Sequence, residues 1–204
     1  MDALIVTDIQ YDFLPGGALA VEGGDEIIPL VNRLQERFPL VVATQDWHPE
    51  GHGSFASAHE GKKVFDHTVL SGVDQILWPD HCVQGSPGAE LVREVRQETI
   101  AAVFRKGMDP GIDSYSAFFD NGHLKSTGLA DFLRGNWVQK IYFTGLAGDF
   151  CVAYSVIDAI KEGFDTYLVE DATRAIDPQG FETMKEKIIA LGGKVISSGQ
   201  LLRS

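Results

Sequence analysis

The chain has few cysteines and few basic residues. Its 204 residues include two cysteines, Cys82 and Cys151, which cannot form the disulfide network that stabilises small secreted proteins. Seventeen basic residues stand against 29 acidic ones, and the formal net charge of -12 repels nucleic acid and anionic membrane surfaces. We therefore expect neither nucleic acid nor a membrane as a partner.

Long apolar runs, linkers and a secretory signal are also missing. No apolar stretch approaches the roughly 20 residues that cross a bilayer. The N-terminal MDALIVTDIQ lacks the basic region of a secretory signal, and no Pro/Ser-rich linker divides the chain. We therefore predict a single domain over residues 1–204 and a cytoplasmic protein. The sequence leaves open whether it is a monomer or a homo-oligomer.

Short apolar stretches alternate with amphipathic segments along the chain. We predict strands at residues 3–7, 40–44, 100–104, 140–144, 166–169 and 194–197. We predict helices at residues 26–38, 86–97, 129–135, 151–163 and 178–191. This alternation indicates a three-layer α/β/α domain with a six-stranded, mainly parallel sheet.

Residues 46–85 are too long for a plain connection, so we expect a functional excursion with little regular structure. It carries five of the six histidines. Polar side chains follow four predicted strands, and parallel sheets bind ligands at the carboxyl ends of their strands. These side chains are Asp8, Asp46 with His48, Lys106 and Cys151.

Cys151 lies in TGLAGDFCV, residues 144–152, where a strand turns into a helix. Asp149 can cap that helix, and unpaired backbone N–H groups in a first helical turn favour a thiolate. We predict that Cys151 is a nucleophile, that Asp8 accepts its proton and that Lys106 stabilises the ionised pair. Taken singly, a buried inert cysteine, a turn aspartate and a surface lysine are the ordinary alternatives.

Asp46, His48 and His81 have the composition of a metal site. Asp46 and His48 are two residues apart on an extended segment, and His81 in WPDHC can supply a third ligand. Two imidazoles and one carboxylate suit zinc, iron or manganese and leave positions open for water or substrate. A surface histidine is the alternative for each imidazole.

Five separated motifs, which together span nearly the whole chain, resemble the nicotinamidases of the isochorismatase-like superfamily of cysteine hydrolases. They are DIQYDFLPGGALAVEGGDE from Asp8, DWHPEGHGSF from Asp46, WPDHC from Trp78, FRKG around Lys106 and TGLAGDFCV. The resemblance implies hydrolysis of nicotinamide to nicotinate and ammonia in NAD salvage, through a Cys151 thioester. It also implies pyrazinamide as a second substrate.

The resemblance implies a role for each matching residue. Asp8, Lys106 and Cys151 match the catalytic triad. Asp46, His48 and His81 match the ligands of one divalent metal ion, zinc first, with iron or manganese as alternatives. His52 falls where some relatives supply a further ligand.

Further matches concern the substrate pocket. The backbone N–H groups of Ala147 and Cys151 match the oxyanion hole, and relatives hold a cis peptide where Leu146–Ala147 falls. Three aromatic residues match the walls of a pocket for the planar pyridine ring. They are Phe13, Trp78 and Tyr115.

Other functions remain open. A metal-independent hydrolase of the same superfamily would keep Cys151 but act on another small amide. A non-catalytic module with a structural metal and a redox-sensing thiol is less favoured, because structural zinc sites close with four protein ligands. A Rossmann-type dinucleotide binder is disfavoured, because the first strand leads into DIQYDF and not into a G-x-G-x-x-G loop.

Overall fold

The computed structural model describes residues 1–203. Within them, eight strands follow one another along the chain: β1 (Asp2–Thr7), β2 (Leu40–Asp46), β3 (His67–Leu70), β4 (Val73–Ile76), β5 (Ile100–Lys106), β6 (Lys140–Gly145), β7 (Asp165–Thr173) and β8 (Lys194–Ile196). Six of them form one sheet in the order β5-β2-β1-β6-β7-β8, and every neighbouring pair is parallel. The predicted six-stranded parallel sheet is confirmed.

Helices cover both faces of this sheet. They are α1 (Ile28–Gln35), α2 (Leu129–Gly135), α3 (Ala153–Lys161), α4 (Pro178–Ala190) and α5 (Gly199–Leu202). Successive side chains of a strand point to opposite faces, so Ala3 and Ile5 join the core beneath α2, α3 and α4. Leu4 and Val6 join the core beneath α1. The three-layer α/β/α architecture is thereby confirmed.

The predicted helix at residues 86–97 is wrong. Only the short 3-10 turns Pro87–Ala89 and Gln97–Thr99 form there. The backbone between them bonds to other segments, because Val92 N–H donates to the Ile9 carbonyl and the Asn32 side chain contacts the backbone of Glu94 and Arg96. The apolar spacing of this segment therefore reflects a loop that packs on α1, not a helix.

Residues 46–85 contain more regular structure than expected. Strands β3 and β4 pair as an antiparallel hairpin. Its two central turn residues, Ser71 and Gly72, have φ values of 49° and 82°. Positive φ at both central positions is the geometry that a two-residue hairpin turn requires, and glycine adopts it readily.

Two side chains at helix starts behave differently. The Asp177 carboxylate accepts the Gln179 N–H and so caps the start of α4. Asp149 was predicted to cap the helix that contains Cys151, and it does not. Its carboxylate instead accepts the N–H groups of Ile176 and Asp177 at 3.1 and 2.8 Å, and so fixes the entry to α4 beside the sheet edge.

The strand register brings the polar strand ends together. Asp46 pairs with Lys106 at the ends of β2 and β5, and Thr7, just before Asp8, pairs with Gly145 at the end of β6. The carboxyl edge therefore collects the side chains singled out from the sequence. Within residues 1–203, no helix has both the length and the apolar character to span a bilayer. The single domain and the cytoplasmic location stay predictions.

Candidate active site

The Lys106 ammonium is the centre of a buried cluster at the carboxyl edge of the sheet. Its Nζ lies 2.9 Å from Asp8 Oδ2 and 3.0 Å from Asp46 Oδ1. It also donates hydrogen bonds to the Cys151 Sγ at 3.3 Å and to the Ser114 carbonyl at 3.0 Å. Asp8, Lys106 and Cys151, predicted from three distant motifs, are thus brought into contact around one cation.

Burial is the largest influence on the ionisation of this cluster. It raises the pKa of Asp8 and of the Cys151 thiol, and in each case Lys106 is the main opposing influence. Burial favours neutral Lys106, but Asp46 and Asp8 outweigh it and hold the pKa of Lys106 well above its usual value. The resting site therefore favours a thiol. Burial of the sulfur thus opposes the thiolate that the helix start was expected to favour.

Asp8 is oriented by a neighbouring strand. The Thr44 hydroxyl, on β2, donates to Asp8 Oδ1 at 2.6 Å, and the Asp8 N–H donates back to Thr44 Oγ1 at 3.2 Å. Asp8 itself has a φ of 46°, in the left-handed region. Because Oδ1 is held in this way, Oδ2 faces Lys106.

Cys151 lies in a wide helical turn, Gly148–Val152, that leads into α3. The Leu146–Ala147 peptide before this turn is cis, as the family resemblance implied. The Ala147 carbonyl accepts the Val152 N–H at 3.1 Å. The Ala147 N–H has no hydrogen-bond acceptor among residues 1–203, and both Ala147 and Cys151 line the cavity that contains the thiol.

Gly145 allows β6 to approach β1 at this point. Its φ is 111°, and a Cβ added there would lie 2.0 Å from the Thr7 carbonyl oxygen. Only glycine fits this backbone position without moving the strand. The close approach brings the turn of Cys151 beside the end of β1, where Asp8 lies.

Asp46, His48 and His81 converge on one point. The Nε2 atoms of His48 and His81 lie 3.2 and 3.5 Å from Asp46 Oδ2. Their Nδ1 atoms lie 2.9 and 2.8 Å from the carbonyl oxygens of Gly107 and Pro79. Because a carbonyl only accepts, each Nδ1 carries the hydrogen, and in the neutral rings both Nε2 atoms present lone pairs. Two lone pairs and a carboxylate oxygen therefore face one another.

This arrangement fits a divalent metal ion. The three ligand atoms lie within 4.8 Å of one another, and His48 Nε2 is buried with no hydrogen-bond partner among the described residues. Burial lowers the pKa of His48, but the Asp46 carboxylate outweighs it and raises the pKa to about 9. Without a metal ion, His48 Nε2 therefore holds a proton at neutral pH, and a metal ion would take the place of that proton. Nitrogen and carboxylate ligands suit a zinc-like cation.

His52 is placed differently from the other two histidines. Its Nδ1 lies 2.7 Å from Ser54 Oγ and its Nε2 lies 2.7 Å from the Asp109 carbonyl oxygen. Its ring centroid lies 4.5 Å from that of His48. Both nitrogens already have partners, so His52 could bind a metal only if one of these hydrogen bonds broke. Its role as a ligand stays a prediction.

One cavity with aromatic walls is lined by Cys151 and by two of the possible metal ligands, Asp46 and His81. Phe13, Trp78 and Tyr115, the three predicted wall residues, all line it together with Asp46, His81 and Cys151. The Trp78 indole N–H donates to the Tyr115 hydroxyl at 3.3 Å, which fixes the two rings relative to each other. The cavity therefore presents flat apolar faces on the route to the sulfur.

The isochorismatase domain family matches residues 2–200. The chain belongs to the isochorismatase family. It is 47% identical over 201 residues to the nicotinamidase of Acinetobacter baylyi, covering 98% of this chain and 94% of the relative. The structure of an Acinetobacter baumanii nicotinamidase and pyrazinamidase matches with a TM-score of 0.96 and 43% identity over 98% of both chains. A Pyrococcus horikoshii pyrazinamidase in complex with zinc matches at a TM-score of 0.79 and 40% identity, over 96% of this chain and 98% of that one.

Sequence reasoning missed several residues of the site in this isochorismatase-family chain. Four further residues line the cavity: Leu19, Asp113, Phe150 and Ile176. Phe150 directly precedes Cys151 in TGLAGDFCV and Leu19 lies in the motif that begins at Asp8, so both stand in segments already singled out. Asp113 lies outside these motifs, two residues before Tyr115. Ile176 carries no local signal, because only the fold brings its segment to the cavity.

Proposed function

We propose that this protein is a nicotinamidase, which hydrolyses nicotinamide to nicotinate and ammonia and serves NAD salvage. The observation that carries the proposal is a single cavity. It is lined by Cys151, by Asp46 and His81 of the possible metal site, and by flat aromatic side chains. A planar ring with an amide substituent fits such a site. Pyrazinamide, which has the same shape, is the proposed second substrate.

The first half of the proposed reaction uses the cluster around Lys106. Asp8 accepts the proton of the Cys151 thiol while Lys106, 2.9 Å from Asp8 and 3.3 Å from the sulfur, stabilises the developing negative charge. The sulfur attacks the carboxamide carbon. The backbone N–H groups of Ala147 and Cys151 are the proposed donors to the resulting oxyanion.

The second half returns the site to its resting state. Asp8 transfers its proton to the departing nitrogen, the C–N bond breaks, and ammonia leaves behind a thioester on Cys151. Water then attacks the thioester with Asp8 as the base. The C–S bond breaks, nicotinate is released, and Asp8 returns the proton to the sulfur.

Asp46, His48 and His81 are the proposed ligands of a divalent metal ion, with zinc as our first choice and iron or manganese as alternatives. When bound, the ion supplies a Lewis acid for the ring nitrogen of the substrate. The carbonyl oxygens of Gly107 and Pro79 accept hydrogen bonds from the two imidazoles and so orient their Nε2 atoms toward the proposed metal site.

Ammonia release from nicotinamide tests the proposed function and its metal need together. We expect activity with the metal-loaded protein and a loss of at least about a hundred-fold after chelation and dialysis, because the ligand set stands beside the reacting thiol. Zinc, iron(II) and manganese(II) are then added back one at a time. Full turnover of nicotinamide without metal would contradict the assigned ligands. Metal-free turnover of another small amide alone would support the alternative hydrolase.

Replacing Thr44 with valine is expected to move the acid limb of the pH profile to higher pH. The Thr44 hydroxyl lowers the pKa of Asp8 by donating to it, although burial raises that pKa more. Asp8 acts as a base in its ionised form, so activity exists above its pKa, and a raised pKa removes activity from the acid side. We expect at least about a tenfold lower kcat/KM on that side, measured by ammonia release across pH.

Two variants control for a general effect on the fold. Thr44→Ser keeps the hydroxyl and should restore the acid limb. Thr7→Val removes a buried hydroxyl beside Asp8 that has no hydrogen-bond partner in the described chain, and it should leave the profile unchanged. An acid limb that stays in place in Thr44→Val would show that Thr44 does not tune Asp8.

A further inference from the structure

Asp113 is a buried carboxylate in the site that neither the triad nor the three-residue ligand set uses. Its side chain is 3% exposed, and it lines the cavity that contains Cys151. Its Oδ1 lies 4.0 Å from His48 Nε2, the nitrogen that also lies 3.2 Å from Asp46 Oδ2. The unpartnered nitrogen of His48 therefore stands between two carboxylates.

Other contacts fix the orientation of Asp113. Its Oδ1 accepts the N–H of Ser114 at 2.7 Å, and its Oδ2 accepts the Gln75 side-chain N–H at 3.2 Å. The same Gln75 nitrogen donates to the Tyr115 hydroxyl at 3.0 Å. These hydrogen bonds hold the Asp113 carboxylate near His48, and the one from Gln75 also positions Tyr115 in the wall of the cavity.

The charges at this edge do not balance within the protein. Asp8, Asp46 and Asp113 are three buried carboxylates, and Lys106 is the buried cation among them. When a cation takes the place of the proton on His48 Nε2, both imidazoles are neutral, and three ionised carboxylates with one ammonium leave two negative charges for that cation to balance. Uncompensated buried charge is costly. A divalent cation beside Asp46 would neutralise both charges, whereas without Asp113 it would leave one positive charge in excess.

We infer that Asp113 is a positioning residue of the metal site, whose charge sets the affinity of Asp46, His48 and His81 for a divalent cation. This inference rests on the proposed metal dependence. Asp113 acts through the cation and through His48, and it is not assigned a step in the reaction. Outer partners of a metal site commonly change metal affinity about 10- to 100-fold.

The test is metal binding by Asp113→Asn, a variant with nearly the same shape and one charge fewer. Metal-free protein is titrated with Zn²⁺ and Mn²⁺ in competition with a chromophoric chelator. We expect about 10- to 100-fold weaker binding of both ions than in the wild type. We also expect the metal-free variant to melt no lower than the metal-free wild type, because it buries one negative charge fewer.

Asp120→Asn is the matched control. Asp120 is another buried carboxylate of the same loop, but its oxygens accept only the backbone N–H groups of Gly122, Leu124 and Lys125. It should bind metal as the wild type does. Equal affinities in Asp113→Asn and the wild type would overturn the inference while leaving the proposed function intact. A wild type that binds neither ion would overturn the metal site itself.

Discussion

Replacing Cys151 with alanine is expected to reduce ammonia release from nicotinamide by at least about a thousand-fold. The Sγ is the nucleophile in the proposed reaction, and the other groups of the cluster act on this thiol and on the thioester that it forms. Asp8 and a water molecule remain in the variant, but neither replaces a sulfur held 3.3 Å from the Lys106 ammonium. The measurement is turnover of the metal-loaded variant against the wild type.

Cys82→Ala is the matched control for this prediction. Cys82 is the second cysteine of the chain and is also buried, but it belongs to an apolar cluster and does not line the cavity that contains Cys151. We expect it to retain wild-type turnover. Rapid acid quenching should trap a nicotinoyl adduct on the wild type and on Cys82→Ala, but not on Cys151→Ala. Turnover that survives in Cys151→Ala would remove the thiol from the mechanism.

Strand ends carried most of the predictive information in the sequence. A parallel sheet brings the carboxyl ends of its strands to one edge, so Asp8, Asp46 and Lys106 could be placed at that edge because each follows a predicted strand. The observed register pairs Asp46 directly with Lys106. The sequence did not reveal how the proposed metal ligands and the cluster around Lys106 are arranged relative to each other. Asp46 in fact belongs to both groups, since its two oxygens face Lys106 and the histidines.

Long-range contacts account for what the sequence did not reveal. Residues 86–97 have helical apolar spacing, yet their backbone groups bond to Ile9 and Asn32, which lie far away in the chain. The same limit applies to Asp113, whose importance depends on its distance from His48. It also applies to the ionisation of Cys151, because a local helix start cannot report how deeply the fold buries the sulfur.

Replacing Lys106 with methionine is expected to damage both stability and activity. Methionine fills a similar volume but leaves Asp8 and Asp46 as buried carboxylates without their shared cation. Breaking a buried ion pair from one side costs about 3 to 5 kcal/mol. We expect a loss of that size in the free energy of unfolding of the metal-free protein in urea. Turnover of the metal-loaded variant should fall at least about a hundred-fold, because the developing thiolate loses its cation.

Lys185→Met separates this effect from the loss of any paired lysine. Lys185 on α4 also contacts two carboxylates, Glu170 at 3.1 Å and Glu182 at 2.8 Å, but these carboxylates are well exposed to solvent. Ion pairs near the surface contribute about 0 to 1 kcal/mol. We therefore expect a small change in unfolding free energy and unchanged turnover in this variant.

The double variant Lys106→Met/Asp8→Asn tests the cause of the instability. Neutralising Asp8 removes one of the two buried carboxylates that lose their cation, so part of the lost unfolding free energy should return. Activity should not return, because the proposed base is also missing. A double-mutant cycle with Asp8→Asn then gives the coupling between the ammonium and the carboxylate. If the two substitutions were simply additive, Lys106 and Asp8 would not act as a pair, and the cation-centred site drawn from the 2.9 Å contact would be wrong.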